Sequence, residues 1–153
     1  MNKIADQYYM QQCLELAKKA LGETYPNPMV GAVIVYKNQI IGKGWHKKAG
    51  LAHAEINAIK SVADKSLLSK STLYVNLEPC SHFGKTPPCV KSIEKYKIPR
   101  VIIGSIDPNP KVAGRGIKAL ALSGCEVSHG ILKKESDFLN RRFFTFHKKK
   151  RPY

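Results

Sequence analysis

From Thr72 onward the chain alternates apolar runs with helical ones, and that alternation restricts the fold more than any other feature of the sequence. The runs Thr72 to Leu77 and Val101 to Ile106 are nearly continuous in apolar residues, as strands covered on both faces must be, and Glu126 to Ser128 forms a shorter third run. A helical segment follows each: about Pro87 to Tyr96, then Gly116 to Leu122, then a last helix through Phe146. Upstream, Gly31 to Tyr36 and Gln39 to Trp45 are separated only by Lys37-Asn38, which predicts a hairpin. Asp6 is placed to cap an opening helix whose apolar residues Met10, Cys13, Leu14, Ala17 and Leu21 recur at helical spacing until Gly22, and a second helix begins at His53. The expectation is an α/β fold of three layers, α/β/α, around a mixed central sheet.

The chain has 153 residues, enough for one domain with a single core, and 43% of them are hydrophobic. No run approaches the length of a membrane span, and Met1-Asn2-Lys3-Ile4-Ala5-Asp6 lacks a signal peptide's apolar stretch, so a cytoplasmic setting without membrane contact is expected. The net charge of +15 is compatible with a nucleic-acid partner. Against that, 21 lysines and 5 arginines make up the 26 basic residues and are scattered, whereas base and phosphate forks favour arginine. The one basic cluster is terminal, Arg141-Arg142 and then His147 to Arg151, so residues 1–146 read as the domain and 147–153 as a charged tail.

Four cysteines in a reducing compartment point to metal ligation or buried thiols before disulfides. Cys13 and Cys125 fall in apolar segments and read as core. Cys80 and Cys89 differ, because Pro79-Cys80 precedes a predicted helix that Cys89 begins, and His53-Ala54-Glu55 opens another. One imidazole and two thiolates leave the fourth corner of a zinc tetrahedron for water, which is the catalytic rather than the structural pattern. His53 and Glu55 are two apart, so Glu55 is better placed as acid/base than as ligand. Helix N-termini at Cys89 and His53 favour thiolate over thiol. A zinc-stabilised binding module would want a fourth ligand, and neither remaining cysteine sits in a paired motif.

With these residues the chain resembles the cytidine-deaminase superfamily, in which His-x-Glu is followed by a Pro-Cys pair and a second cysteine. Eight residues, Ser81 to Pro88, separate the two cysteines in place of two. In that expanded form, Glu78-Pro79-Cys80-Ser81-His82-Phe83-Gly84-Lys85-Thr86-Pro87-Pro88-Cys89 is similar to the bacterial diaminohydroxyphosphoribosylaminopyrimidine deaminases of riboflavin synthesis. The segments Pro26 to Gly31, Gly44-Trp45-His46, Asp107 to Pro110 and Val112 to Gly116 resemble the same family, though Phe83 stands where it usually has a histidine.

The resemblance implies zinc on His53, Cys80 and Cys89, Glu55 as the proton shuttle, and hydrolysis of a diaminopyrimidinone ribosylamine phosphate to the aminouracil phosphate and ammonia. It also implies substrate contacts at Asn27, His46, Lys85, Asp107 and Asn109. Each has a plainer alternative: the two asparagines stand between prolines where turns use them, His46 closes a strand, and Asp107 follows one. Lys85, inside the ligand loop, is the expected phosphate contact. Glu78 is expected to support the ligand loop, His82 is open between loop and zinc surroundings, and His129 and His147 read as surface groups. A deaminase of tRNA or another nucleobase is the nearest rival. No reductase domain is expected within this length, so a separate reductase polypeptide would take the product, and nothing in the sequence excludes a homo-oligomer.

Overall fold

The structure is a computed structural model that describes residues 3–81 and 87–149. Its centre is a five-stranded sheet of β1 (Gly31–Tyr36), β2 (Gln39–Trp45), β3 (Thr72–Leu77), β4 (Arg100–Ser105) and β5 (Glu126–His129), in the order β2-β1-β3-β4-β5. β1 pairs antiparallel with both β2 and β3, whereas β3–β4 and β4–β5 are parallel, so the sheet is mixed as expected. The hairpin closes through Lys37 and Asn38, both at positive φ (49° and 62°), the conformation a two-residue turn needs to match strand twist.

Alternate residues of each strand enter different cores. Ala32 and Ile34, Leu73 and Val75, and Val101 and Ile103 face α2 (Ala54–Ser61), α3 (Cys89–Lys95) and α4 (Arg115–Leu122). Val33, Val35, Tyr74 and Ile102 meet Tyr9, Met10, Cys13 and Leu16 of α1 (Lys3–Lys18) on the other face. Cys13 is fully buried and Cys125 packs, partly exposed, at the edge of the first core. A 3₁₀ turn over Lys65–Lys70, not foreseen from the sequence, leads into β3 and is capped by Asp64.

Two expectations need correction. Asp6 is not the cap of α1 but lies inside it, buried, where it accepts a hydrogen bond from Tyr74 and pairs with Arg100 at 3.3 Å. The last helix is two, α5 (Lys133–Leu139) and α6 (Arg141–Lys149), and α6 carries the backbone past Phe146 into the basic segment. The break falls at Asn140, whose side chain is committed elsewhere: its Oδ1 accepts from Met29 N–H at 2.7 Å, and its amide donates to Met29 carbonyl at 2.8 Å.

Candidate active site

His53 is the N-cap residue of α2 and Cys89 the first residue of α3, so two helix starts on one face of the sheet meet over the end of β3, from which Cys80 follows. Candidate ligand atoms of His53, Cys80 and Cys89 lie within 4.8 Å of one another. His53 Nδ1 is 3.3 Å from Cys89 Sγ and 3.6 Å from Cys80 Sγ, and Cys89 N–H donates to Cys80 Sγ at 3.1 Å. Donation from the Cys89 thiol, then from His53 and the Cys89 amide, holds the Cys80 thiol well below its ordinary range. Cys89 is held above it, since it keeps the shared proton and is buried. The bond to Cys80 raises His53 in turn. One nitrogen and two sulfurs, already sharing protons that a metal would displace, fit a zinc ion held by three protein ligands.

Glu55 follows one helical position after Ala54 and is 3% exposed. Burial pushes its carboxyl up to about 7, and the negative Cys80 adds to the rise. A carboxyl that gains and loses its proton near neutrality suits acid/base work.

A cleft of about 240 Å³ is lined by His53, Glu55 and Cys80 together with Asn27, His46 and Asp107, and closed by Leu77, Glu78 and Phe143 among others. His46 Nδ1 lies 3.1 Å from the Ala52 carbonyl, which can only accept, so that nitrogen carries the hydrogen and Nε2 accepts from the Asn27 amide at 3.2 Å. This arrangement turns the Asn27 carbonyl away from His46. Burial holds His46 below its usual pKa, which favours the same neutral tautomer. Its ring stands edge-on to that of His53, centroids 5.3 Å apart. Asp107 faces the cleft, and its Oδ1 also accepts from Asn109 N–H at 2.9 Å.

Asn109 is not among the described residues lining this cleft; its side chain accepts from Lys111 N–H at 3.0 Å, as a turn residue does. Lys85 and His82 lie outside the described residues. His129 is exposed, as a surface group should be.

Sequence reasoning missed Phe143, brought to the cleft by α6, and three asparagines that brace the segments lining it. Asn76 accepts from Gly31 N–H at 2.8 Å and donates to the Met29 carbonyl at 3.1 Å, so together with Asn140 it clamps the segment after Asn27. Asn57 donates to the carbonyls of Trp45 and Ala52, tying the His46 segment to α2. Asparagines set among apolar residues were the available signal, but their partners lie up to 111 residues away.

This combination of a mixed sheet, His-x-Glu at one helix start and cysteines at the next defines a zinc-dependent deaminase, and residues 3–105 match the cytidine and deoxycytidylate deaminase zinc-binding region. The chain belongs to that family, and within it to the diaminohydroxyphosphoribosylaminopyrimidine deaminases. It is 49% identical over 139 residues to the diaminohydroxyphosphoribosylamino-pyrimidine deaminase of Buchnera aphidicola subsp. Schizaphis graminum, covering 91% of this chain and 93% of that protein. It is 52% identical to the riboflavin biosynthesis protein RibD of Buchnera aphidicola subsp. Baizongia pistaciae over 91% of this chain but only 37% of the relative, so it spans well under half of that longer protein. The solved structure of Acinetobacter baumannii RibD superposes with a TM-score of 0.94 at 44% identity, over 99% of this chain and 42% of the other.

Proposed function

We propose that the chain hydrolyses the 2-amino group of 2,5-diamino-6-(5-phosphoribosylamino)pyrimidin-4(3H)-one, releasing 5-amino-6-(5-phosphoribosylamino)uracil and ammonia. The observation that carries this reading is the convergence of His53, Cys80 and Cys89 with buried Glu55 on one cleft whose rim holds Asn27, His46 and Asp107. His53, Cys80 and Cys89 would hold the zinc ion. Zinc, when bound, supplies the Lewis acidity that makes water nucleophilic near pH 7.

The rest is work for the side chains. Glu55 takes one proton of the attacking water on a carboxylate oxygen and delivers it to the adjacent ring nitrogen, then takes the remaining proton of the added hydroxyl and passes it to the amine, which leaves as ammonia when the C–N bond breaks and the carbonyl forms. Its burial keeps bulk water from competing for that proton. Asn27, with its amide hydrogen committed to His46, presents its carbonyl as an acceptor for ring or exocyclic N–H groups. Asp107 orients the heterocycle from the loop after β4, Asn109 supports it through its backbone N–H, Phe143 closes the cleft, and Lys85 meets the phosphate.

Ammonia release from zinc-loaded protein given this diaminopyrimidinone phosphate, with an adenosine-containing RNA hairpin as comparison, tests the reading: release from the hairpin alone would overturn it. We further assign the next step, reduction of the product, to a separate reductase polypeptide, and place the deamination in the cytoplasm. The support is that a Buchnera relative of nearly this length carries the deaminase name alone, and that among the described residues no helix is long and apolar enough to cross a membrane. Ammonia should appear without oxidation of added NADPH; stoichiometric oxidation would refute that assignment.

A further inference from the structure

Glu78 begins the segment that leads from β3 to Cys80, and it is buried at 7% exposure. Its partners are all backbone. Oε1 accepts from Asp107 N–H at 3.1 Å and Gly114 N–H at 3.0 Å, and Oε2 from Gly116 N–H at 2.8 Å and Ile117 N–H at 3.1 Å. Three of these amides belong to the start of α4, which has no side-chain cap of its own, so the acid serves that helix from the segment after β3. The contact is also sterically close. A Cβ on Gly116 would stand 2.1 Å from the Pro79 carbonyl oxygen, so this wall closes only over glycine.

We propose that Glu78 is a positioning residue for substrate: it fixes the loop from Asp107 to Arg115 against the strand end and thereby sets where Asp107 meets the pyrimidine. The inference rests on the deaminase reading above, in which Asp107 touches the ring. Four donors on two oxygens require a carboxylate, because the glutamine amide keeps one acceptor atom and turns an N–H₂ group toward two other N–H groups. Asp107 follows the loop closely, since its own amide is held by Glu78 and its Oδ1 is held by the Asn109 amide. The metal ligands have separate tethers. Cys80 is fixed from α3 by Cys89 N–H to its sulfur and by Val90 N–H to its carbonyl at 3.2 Å. Loosening the Glu78 contacts therefore moves the substrate wall and leaves the metal group in place.

The test compares wild type, Glu78→Gln and Gly114→Ala in steady-state deamination of the diaminopyrimidinone phosphate, with the visible spectrum of each cobalt-substituted protein as a second readout. Gly114 sits at φ 78°, so alanine there strains the same loop without touching the strand. Both variants should raise KM about tenfold, with kcat within about threefold of wild type and the cobalt–thiolate bands unchanged. Unchanged KM in both variants overturns the proposal, as does a fall in kcat accompanied by a shifted cobalt spectrum, which would make Glu78 a support of the metal ligands instead. Should Glu78→Gln not accumulate, Gly114→Ala decides alone. A wild type that releases no ammonia overturns the substrate assignment, and this role with it.

Discussion

Single side chains separate the roles within the cleft. Glu55 is buried beside the ligands yet holds no ligand position in the group formed by His53, Cys80 and Cys89. Glu55→Gln should keep zinc at one per chain while kcat falls by about 10² to 10⁴, measured by ammonia release and metal analysis; near-normal turnover would remove Glu55 from the chemistry. His46 gives a pH signature. Because burial holds its pKa below 6.5, the unfolded chain binds a proton that the folded one refuses in the window just below pH 6.5. Stability therefore rises with pH through this window and is lost as pH falls through the unfolded value. The drop in Tm of zinc-free protein between about pH 7.5 and 5.5 should be smaller in His46→Gln than in wild type; equal drops would show that His46 titrates as freely in the fold as out of it. The grouping of His53, Cys80 and Cys89, with Glu55 beside it, was legible at this scale because the signal is local: two residues from imidazole to acid, and a cysteine at a helix start or after a strand end. Phe143 was not, since nothing local to an amphipathic helix tells which of its aromatics reaches a cleft.

Among the elements, strands and the hairpin could be read directly, as their signals are local: two-residue turn chemistry at Lys37-Asn38 and continuous apolar runs in β3 and β4. The errors arose where a polar side chain answers to a distant partner. Asp6 resembles a cap but bonds Tyr74 and Arg100 on the sheet, 68 and 94 residues away, and Asn140 divides the last helix because Met29 engages it. Close approach between elements is carried by glycine. At Gly44 a Cβ would meet Ala58 N at 2.3 Å and the Ala54 carbonyl oxygen at 2.6 Å, so β2 and the helix that presents His53 and Glu55 are in backbone contact there. Gly44→Ala should force α2 outward, costing about 1–3 kcal/mol of stability by denaturant titration, and should weaken zinc binding. A variant as stable as wild type with unaltered zinc affinity would mean that α2 can shift without moving its ligand.

Across the whole molecule the sheet separates two cores, and the zinc ligands belong to only one side. His53 precedes α2 and Cys89 begins α3, both packed on the face formed by Ala32, Ile34, Leu73, Val75, Val101 and Ile103, whereas α1 covers the opposite face through Tyr9, Met10, Cys13 and Leu16. The two ligand helices are short, eight and seven residues, below the length at which a helix persists without tertiary support. Zinc bound by His53, Cys80 and Cys89 would tie these starts to the chain leaving β3, so it should stabilise that corner locally as well as the fold by mass action. α1 is longer, sixteen residues, and is held by its own core and by the Asp6–Arg100 pair, none of which involves the metal. Chelation should therefore increase hydrogen exchange at the amides of Glu55 to Ser61 and Val90 to Lys95 by about tenfold or more, while those of Met10 to Ala17 change little. Cys89→Ser, which removes one ligand, should show the same regional pattern without a chelator and release its zinc. Uniform acceleration across α1, α2 and α3 would instead mean that the metal supports a single cooperative unit, and that the two cores do not open separately.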